Sequence, residues 1–498
     1  MKRPEKRWRR WVAIAVVAVV VLIAILALVV PNALLRSDFI RKRTNKNPEH
    51  GWLDYDSAYS RWPGTLHVKN LSFRDQDPKA EWAFQLADAD LTYSLADLLR
   101  RRFHVTRLSG RGFVFRVRSR LTRAEATPPR LSRLPAIPGF PDPPLVGRPE
   151  PVVPPTGKEW SILVESVAID DVREVWIEGY RCTGDARVTG GFFLRPKHRA
   201  QVYPSKLAIR NGTIRSGKDA IAADVRATVE ARIGPWDPWA FRGSKVLQFV
   251  DGDAKATARL DDAEVLNRLL GEPARTRLQK GSGRMNVEAS VEKGVAKGAI
   301  DYGSRDLALR VLDVAMRGRF DGRVELSGVQ LRTWGGGRLD GGHVNLTGAT
   351  VWDSAGAPYP WWGRVAFQRG EFRPKTAFLF TTTADARAKD AQPLMQIVNV
   401  DLPDWAKRLL RLDDPVSAHS GIRLGPSVVE LRRLAARTGK LRMFGEYSAR
   451  GSSKSGTFLI DAGLLSVGVG ISGREKEVRI FGPRKWFRER TEWEPEKD

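Results

Sequence analysis

Few residues in this chain have both the type and the spacing that chemistry needs. Gly212 to Asp219 (GTIRSGKD) approaches the phosphate loop GxxxxGK[ST]. The hydroxyl that should ligate magnesium is replaced by Asp219, and an alternating strand pattern follows where the phosphate-binding helix should begin. Asp251-Gly252-Asp253 opens like a calcium loop but lacks the later ligands, so a hairpin turn is expected there. Asp261 and Asp262 suit a helix start better than an acid pair. Cys182 is the only cysteine, which excludes a disulfide framework and a cysteine metal site. His50, His67, His104, His198, His343 and His419 are scattered, with no HExxH spacing, and no GxSxG occurs. These residues point to no enzyme, no cofactor and no metal.

The elements that would have to position such groups are strands. In IAADVRATVEARI (221–233) every odd position is apolar, and the even positions from Asp224 onward are polar. A period of two over thirteen residues predicts an extended strand with one apolar and one wet face. Alternation recurs at Leu66 and Val68, Trp82 to Leu86, Phe113 to Val117, and along many segments from Ile162 to Phe367. It returns from Val428 to Ile480. Helices are expected over LADLLRR (95–101) behind a Ser94 cap, over 261–271, and near 392–412.

One short pattern repeats irregularly: VKNLSFRD (68–75), VESVAIDD (164–171), IRNGTIRS (209–216), LSGVQLRT (326–333) and LTGATVWD (346–353). In each, an apolar residue is followed two positions later by Asn, Ser or Gly, and the apolar spacing resumes one residue out of phase. A β-bulge produces that signature, because one extra residue flips the side-chain faces. The varying intervals exclude a fixed-period solenoid and favour meandering antiparallel strands.

Charge and hydropathy add an anchor and a bias toward anions. Lys plus Arg number 83 against 57 Asp plus Glu, a formal net charge of +26. Six basic residues lie within positions 1–10, and Trp11 to Val30 then runs twenty residues without a charge. At 1.5 Å per residue this spans a hydrocarbon core of roughly 30 Å. The basic cluster predicts an uncleaved single-pass helix at 11–30 with a cytoplasmic N-terminus and an exported body. An exported body argues against nucleic acid as partner. Eleven prolines between Pro128 and Pro155 preclude a central strand or helix there.

The chain therefore divides into a basic segment (1–10), the membrane helix (11–30), a juxtamembrane linker (31–61), a first β segment (62–126), and a proline-rich insertion or linker (127–157). A central β region (158–390), a helical segment (391–427), a second β segment (428–482) and a charged tail expected to fray (483–498) follow.

The anchor, the segment GTLHVKNLSFRDQDPKAEWAFQLADADLTYSLADLLRRRFHVTRLSGRGFVF (64–115) and the closing LRRLAARTGKLRMFGEYSARGSSKSGTFLIDAGLLSVGVGISG (431–473) resemble the AsmA-like and TamB-like envelope proteins. That resemblance implies a mainly β fold: an elongated, twisted antiparallel sheet curled into an open groove, with a few short helices behind the membrane helix. It implies an inner-membrane protein with a periplasmic body that moves phospholipid, or another lipid, toward the outer membrane, with envelope proteins as further partners. The lining expected of such a groove is Val225, Val229, Ile233, Val287, Val291, Leu326, Val344, Leu346, Val365 and Phe367. Physics poses the alternative directly: an apolar strand face must be covered by another sheet or by lipid. A self-closed, anchored β-scaffold binding a partner protein or an acidic glycan is the competing expectation.

Overall fold

Alternation becomes twenty-five strands among the residues that the computed structural model describes. It describes residues 29, 32–46, 51–147, 159–267, 276–393 and 414–495, apart from 242, 312–313, 334, 353–355, 374–378, 426, 440, 452, 464, 474 and 492. No helix among these residues is long and apolar enough to cross a membrane, and the expected span at 11–30 lies outside them but for Val29. Two compact units result, residues 1–220 with 224–252, and 221–223 with 253–498.

In the first unit, β1 (Trp52–Asp54) and β2 (Ser57–Tyr59) lie along β3 (Thr65–Gln76), which pairs with β4 (Ala80–Tyr93). The far edge of β4 carries two strands end to end: β5 (Arg102–Arg111) and β6 (Phe113–Ser119). They bend at Gly112, whose φ is +71° and where a Cβ would lie 2.6 Å from that of Ala87, so glycine is required. β7 (Ser161–Ile169) and β8 (Val172–Ile177) are broken likewise and both pair with β9 (Tyr180–Arg195), which pairs with β10 (Arg199–Ser216).

Where the two broken lines meet, the pairing is parallel, β5 with β7 and β6 with β8. The expected sheet was antiparallel throughout, so these two junctions depart from it. The reason lies in the proline-rich stretch between Ser119 and Ser161. A parallel neighbour needs a crossover connection of about a dozen residues or more. As far as residue 147 this connection is clamped by arginines. The Arg118 side chain, 1% exposed, pairs with Glu81 at 2.8 Å and with Asp142, and donates to the carbonyls of Pro135 (3.0 Å) and Pro141 (2.9 Å). Arg116 donates to the Ala136 carbonyl (3.1 Å), Arg74 to that of Pro138 (3.0 Å), and Trp176 to that of Arg133 (3.2 Å). A proline-rich backbone is poor in N–H donors, so side-chain donors take up its carbonyls.

β11 (Asp219–Trp236) and β12 (Val250–Leu260) follow. In the second unit β13 (Thr276–Lys280) and β14 (Gly283–Glu292) both pair with β15 (Val295–Val311). From there an antiparallel meander runs through β16 (Val314–Gln330), β17 (Gly337–Trp352), β18 (Pro358–Arg373) and β19 (Leu379–Ala388). It continues through β20 (Val416–Gly425), β21 (Val428–Thr438), β22 (Leu441–Arg450), β23 (Ser453–Ala462), β24 (Leu465–Ser472) and β25 (Glu475–Arg479). β20 occupies residues assigned to the helical segment by sequence, and residues 394–413 lie outside the described ones.

Ser94 caps the helix Leu95–Leu99 by accepting from the Asp97 N–H at 3.3 Å, and Asp262 starts a short 3-10 turn at Ala263–Leu266. The tail expected to fray instead forms the helix Pro483–Thr491, with Phe487 wholly buried.

Four of the five repeats hold a left-handed residue at the phase slip: Asn70, Asn211, Gly328 and Gly348, with φ of 50°, 52°, 67° and 55°. Asn and Gly tolerate that conformation best. At 164–171 the ladder shifts between Val164 and Val167 without one. Two further non-glycine residues inside strands are left-handed and escaped the sequence pattern, Asp224 (φ 51°) and Arg433 (φ 49°). Asp224 alters the reading of 221–233: burial falls on Ala222 before it and on Val225 after it. The odd residues therefore do not share one face across the whole stretch.

Candidate functional site: an uncharged face of the sheet

Directly opposed residues in an antiparallel ladder point to the same side of the sheet. In the second unit one such row runs Tyr302, Gly322, Val344, Val365, Ala386, Ala418, Ala436, Met443, Ile460 and Val467, from β15 to β24. A second runs Val287, Ile300, Val324, Gly342, Phe367 and Ala384. A third carries Phe320, Leu346, Gly363, Ala388 and Val416. No charged residue interrupts these rows. The opposite side is wet: Asn286, Asp301, Arg323 and His343 oppose one another, with Arg323 3.1 Å from Asp301 and His343 3.1 Å from Asp321.

Seven of the ten expected lining residues thus share one face: Val287, Val291, Leu326, Val344, Leu346, Val365 and Phe367. Leu346 is buried and the other six are half-buried. Ile300, flanked by Val287 and Val324, is 39% exposed, an unusual state for an isoleucine between two apolar strands. Val225, Val229 and Ile233 lie on β11 in the first unit, alternating with exposed Arg226, Thr228, Glu230 and Arg232.

Aromatic rings on this face lie along the sheet, over glycines. A Cβ on Gly322 would come within 2.9 Å of the Phe320 ring, and one on Gly363 would overlap Trp361. Rings laid flat this way cover backbone and stabilise glycine-rich strands without reaching across to another layer.

Sequence reasoning missed the matching row in the first unit. Leu53, Phe73, Phe84, Phe115, Val175, Cys182 and Ile214 oppose one another in turn. Ring contacts chain along it, Phe73 to Phe84 at 5.8 Å, Phe84 to Phe113 at 6.4 Å and Phe113 to Phe115 at 6.4 Å. The alternating aromatics of Trp82 to Phe84 and Phe113 to Phe115 were the available signal. Cys182 belongs to this row, and burial pushes its thiol pKa up, which suppresses the reactive thiolate.

The other chemical candidates resolve simply. GTIRSGKD is the end of β10, a turn at Gly217 (φ 59°) and the start of β11. Asp251 to Asp253 lie inside β12 and not in a hairpin turn; Asp251 pairs with Arg232 at 3.2 Å. Among the described residues no group of His, Cys, Asp or Glu is placed to hold a metal ion.

No family model, no curated protein and no solved structure matches this chain. What the arrangement offers physically is a band of side chains that carry no charge.

Proposed function

We propose that this is a membrane-anchored periplasmic protein that holds phospholipid, or another lipid, on the uncharged face of its sheet and passes it between inner and outer membrane. The observation that carries the proposal is the charge-free set of rows from Val287 to Val416, half-exposed at its centre. Acyl chains would cover that centre, contributing about 25 cal/mol for each Å² of apolar surface taken from water. Basic residues at the margins of the sheet would meet the anionic head groups. Residues 11–30 would hold the chain in the inner membrane. The resemblance to AsmA-like and TamB-like proteins supports the same assignment.

The test is site-specific photocrosslinking in cells, with p-benzoyl-phenylalanine placed at Val344 and Val365 and, on the wet side, at His343 and Arg364. Lipid adducts at the first pair alone are expected. Protein adducts only, or none at any site, would sink the proposal.

A second reading, a scaffold for a partner protein, is favoured by the last strand. Val478 in β25, and Ile480 and Phe481 just after it, are exposed, Phe481 at 93%. Protein adducts concentrated at these positions, with none carrying lipid at 344 or 365, would favour it.

A further inference from the structure

The wet side of the sheet carries a second feature, independent of the apolar face. A cavity of about 450 Å³ opens on β19–β22, lined by Arg387, Ser417, Arg437, Arg442, the His419–Asp385 pair and Phe444. The three arginines are in line. Arg387 opposes Ser417, Ser417 opposes Arg437, and Arg437 opposes Arg442 across consecutive strands. On the other edge of β19, Arg364 opposes Arg387.

Like charges directly opposite each other in a ladder destabilise it. Here that occurs twice, with a hydroxyl between the two pairs. The carboxylates nearest Arg387 and Arg437 are taken up elsewhere. Asp385 accepts from His419 at 2.7 Å and Gln368 at 2.7 Å. Asp461, opposite Arg442, is held by Arg484 at 2.8 Å and Ser466 at 2.6 Å. Asp414 lies beside the β21–β22 turn at Gly439. Arg387 and Arg437 form no ion pair among the described residues.

We infer that this cavity is a binding site for a phosphate-bearing anion, the phosphoryl oxygens meeting Arg387, Arg437, Arg442 and the Ser417 hydroxyl. A guanidinium offers paired N–H donors that match two phosphate oxygens, and a doubly charged group neutralises Arg387 and Arg437. Ala435 and the Phe444 ring form an apolar wall beside that end, so an ester substituent has somewhere to lie. The ligand class is a phosphomonoester, either free in solution or as the head group of an acidic lipid.

Full-length protein in detergent, in phosphate-free buffer, is melted with inorganic phosphate, glycerol 3-phosphate, dihexanoyl phosphatidic acid, or sodium chloride at matched ionic strength. A rise in Tm with the phosphate compounds but not with chloride is expected. A larger rise with the phosphatidic acid than with glycerol 3-phosphate marks a lipid head group as the source, and equal rises mark a free ester.

R437Q should weaken half-saturation by about tenfold, the loss of one charge-assisted contact, and S417A by about threefold. R437Q removes a repulsion, so its ligand-free Tm should not fall, which separates lost binding from lost folding. V365D, on the opposite face, should leave the phosphate response unchanged even if it abolishes lipid adducts. No phosphate response, an equal response to chloride, or an R437Q response like that of the natural chain would overturn the inference.

Discussion

Two stretches of the same meander treat the same face in opposite ways. Along β14–β18, Val287, Val344, Val365 and Phe367 are half-buried and Ile300 is exposed, while Tyr302, Leu339 and Leu346 are buried. Follow the Val344 row four strands further and it enters a closed cluster with Ala436, Met443, Tyr447, Phe458, Ile460 and Val469. There the reverse side is covered too. The helix Pro483–Thr491 lies on β23 and β24, where a Cβ on Gly468 would come within 2.7 Å of Trp486, and Trp493 just after it meets Phe444 of β22 at 6.0 Å. Phe458, Leu459 and Ile460 are consecutive and all buried. Cross-strand pairing alone therefore does not decide burial. What covers the face does, and the C-terminal strands carry their own cover on one side.

The largest expected effect probes the closed stretch. Phe458, 1% exposed, should lose about 3–5 kcal/mol of stability when changed to Ala, read by chemical denaturation. Phe487→Ala should cost about 3 kcal/mol by loosening the helix from β23 and β24, and should raise amide exchange in those strands ahead of β16 and β17. Equal exchange throughout would erase the distinction between the two stretches.

The bulges offer a milder comparison. The open stretch uses Gly328 and Gly348 at left-handed positions, whereas the closed one uses Arg433. Arg433→Gly should stabilise by about 1 kcal/mol and Gly348→Arg should destabilise by about 1–2 kcal/mol.

Val344→Ala, on the half-exposed part of the row, should cost about 1 kcal/mol or less. If it costs as much as Phe458→Ala, the open face is a closed core and the lipid proposal loses its footing.

The smallest effect concerns acid. Burial pushes the Glu430 carboxyl up, but hydrogen bonds from Arg450 (2.9 Å) and Arg432 (2.8 Å) outweigh it and hold the pKa below the usual value of 4.5. Its contribution is therefore complete above that value and is lost as pH falls through the lower, folded-state pKa. Melting curves between neutral and strongly acidic pH should show this loss and E430Q should flatten it. Asp306, also depressed by Arg317 but at the surface, should give no measurable change when replaced by Asn.

Much of the fold was legible because its signal is local. Alternation at Val287, Val344 and Val365 fixes which residues share a face, and Asn70, Asn211, Gly328 and Gly348 announce bulges through backbone preference. Four features were not legible as read. The parallel pairing of β5 with β7 depends on a crossover, which composition shows only as prolines. The left-handed Asp224 and Arg433 sit where their side chains give weak warning. The two-sided burial of β23 was written in the unbroken apolar run Phe458-Leu459-Ile460, a pattern that alternation-based reading passes over. The row from Phe73 to Cys182 hid because each strand contributes only one of its members.

The crossover between β6 and β7 has a further consequence, one of parity. In a meander, each hairpin inserted or lost adds or removes two strands, about 9.6 Å of sheet, and leaves the direction of every later strand unchanged. Chains built this way can lengthen or shorten by copying hairpins. A parallel junction cannot be copied so cheaply, since its strands are joined by a long clamped connection that must travel with them. The β5–β7 and β6–β8 junctions are thereby the part of the first unit that hairpin copying leaves untouched.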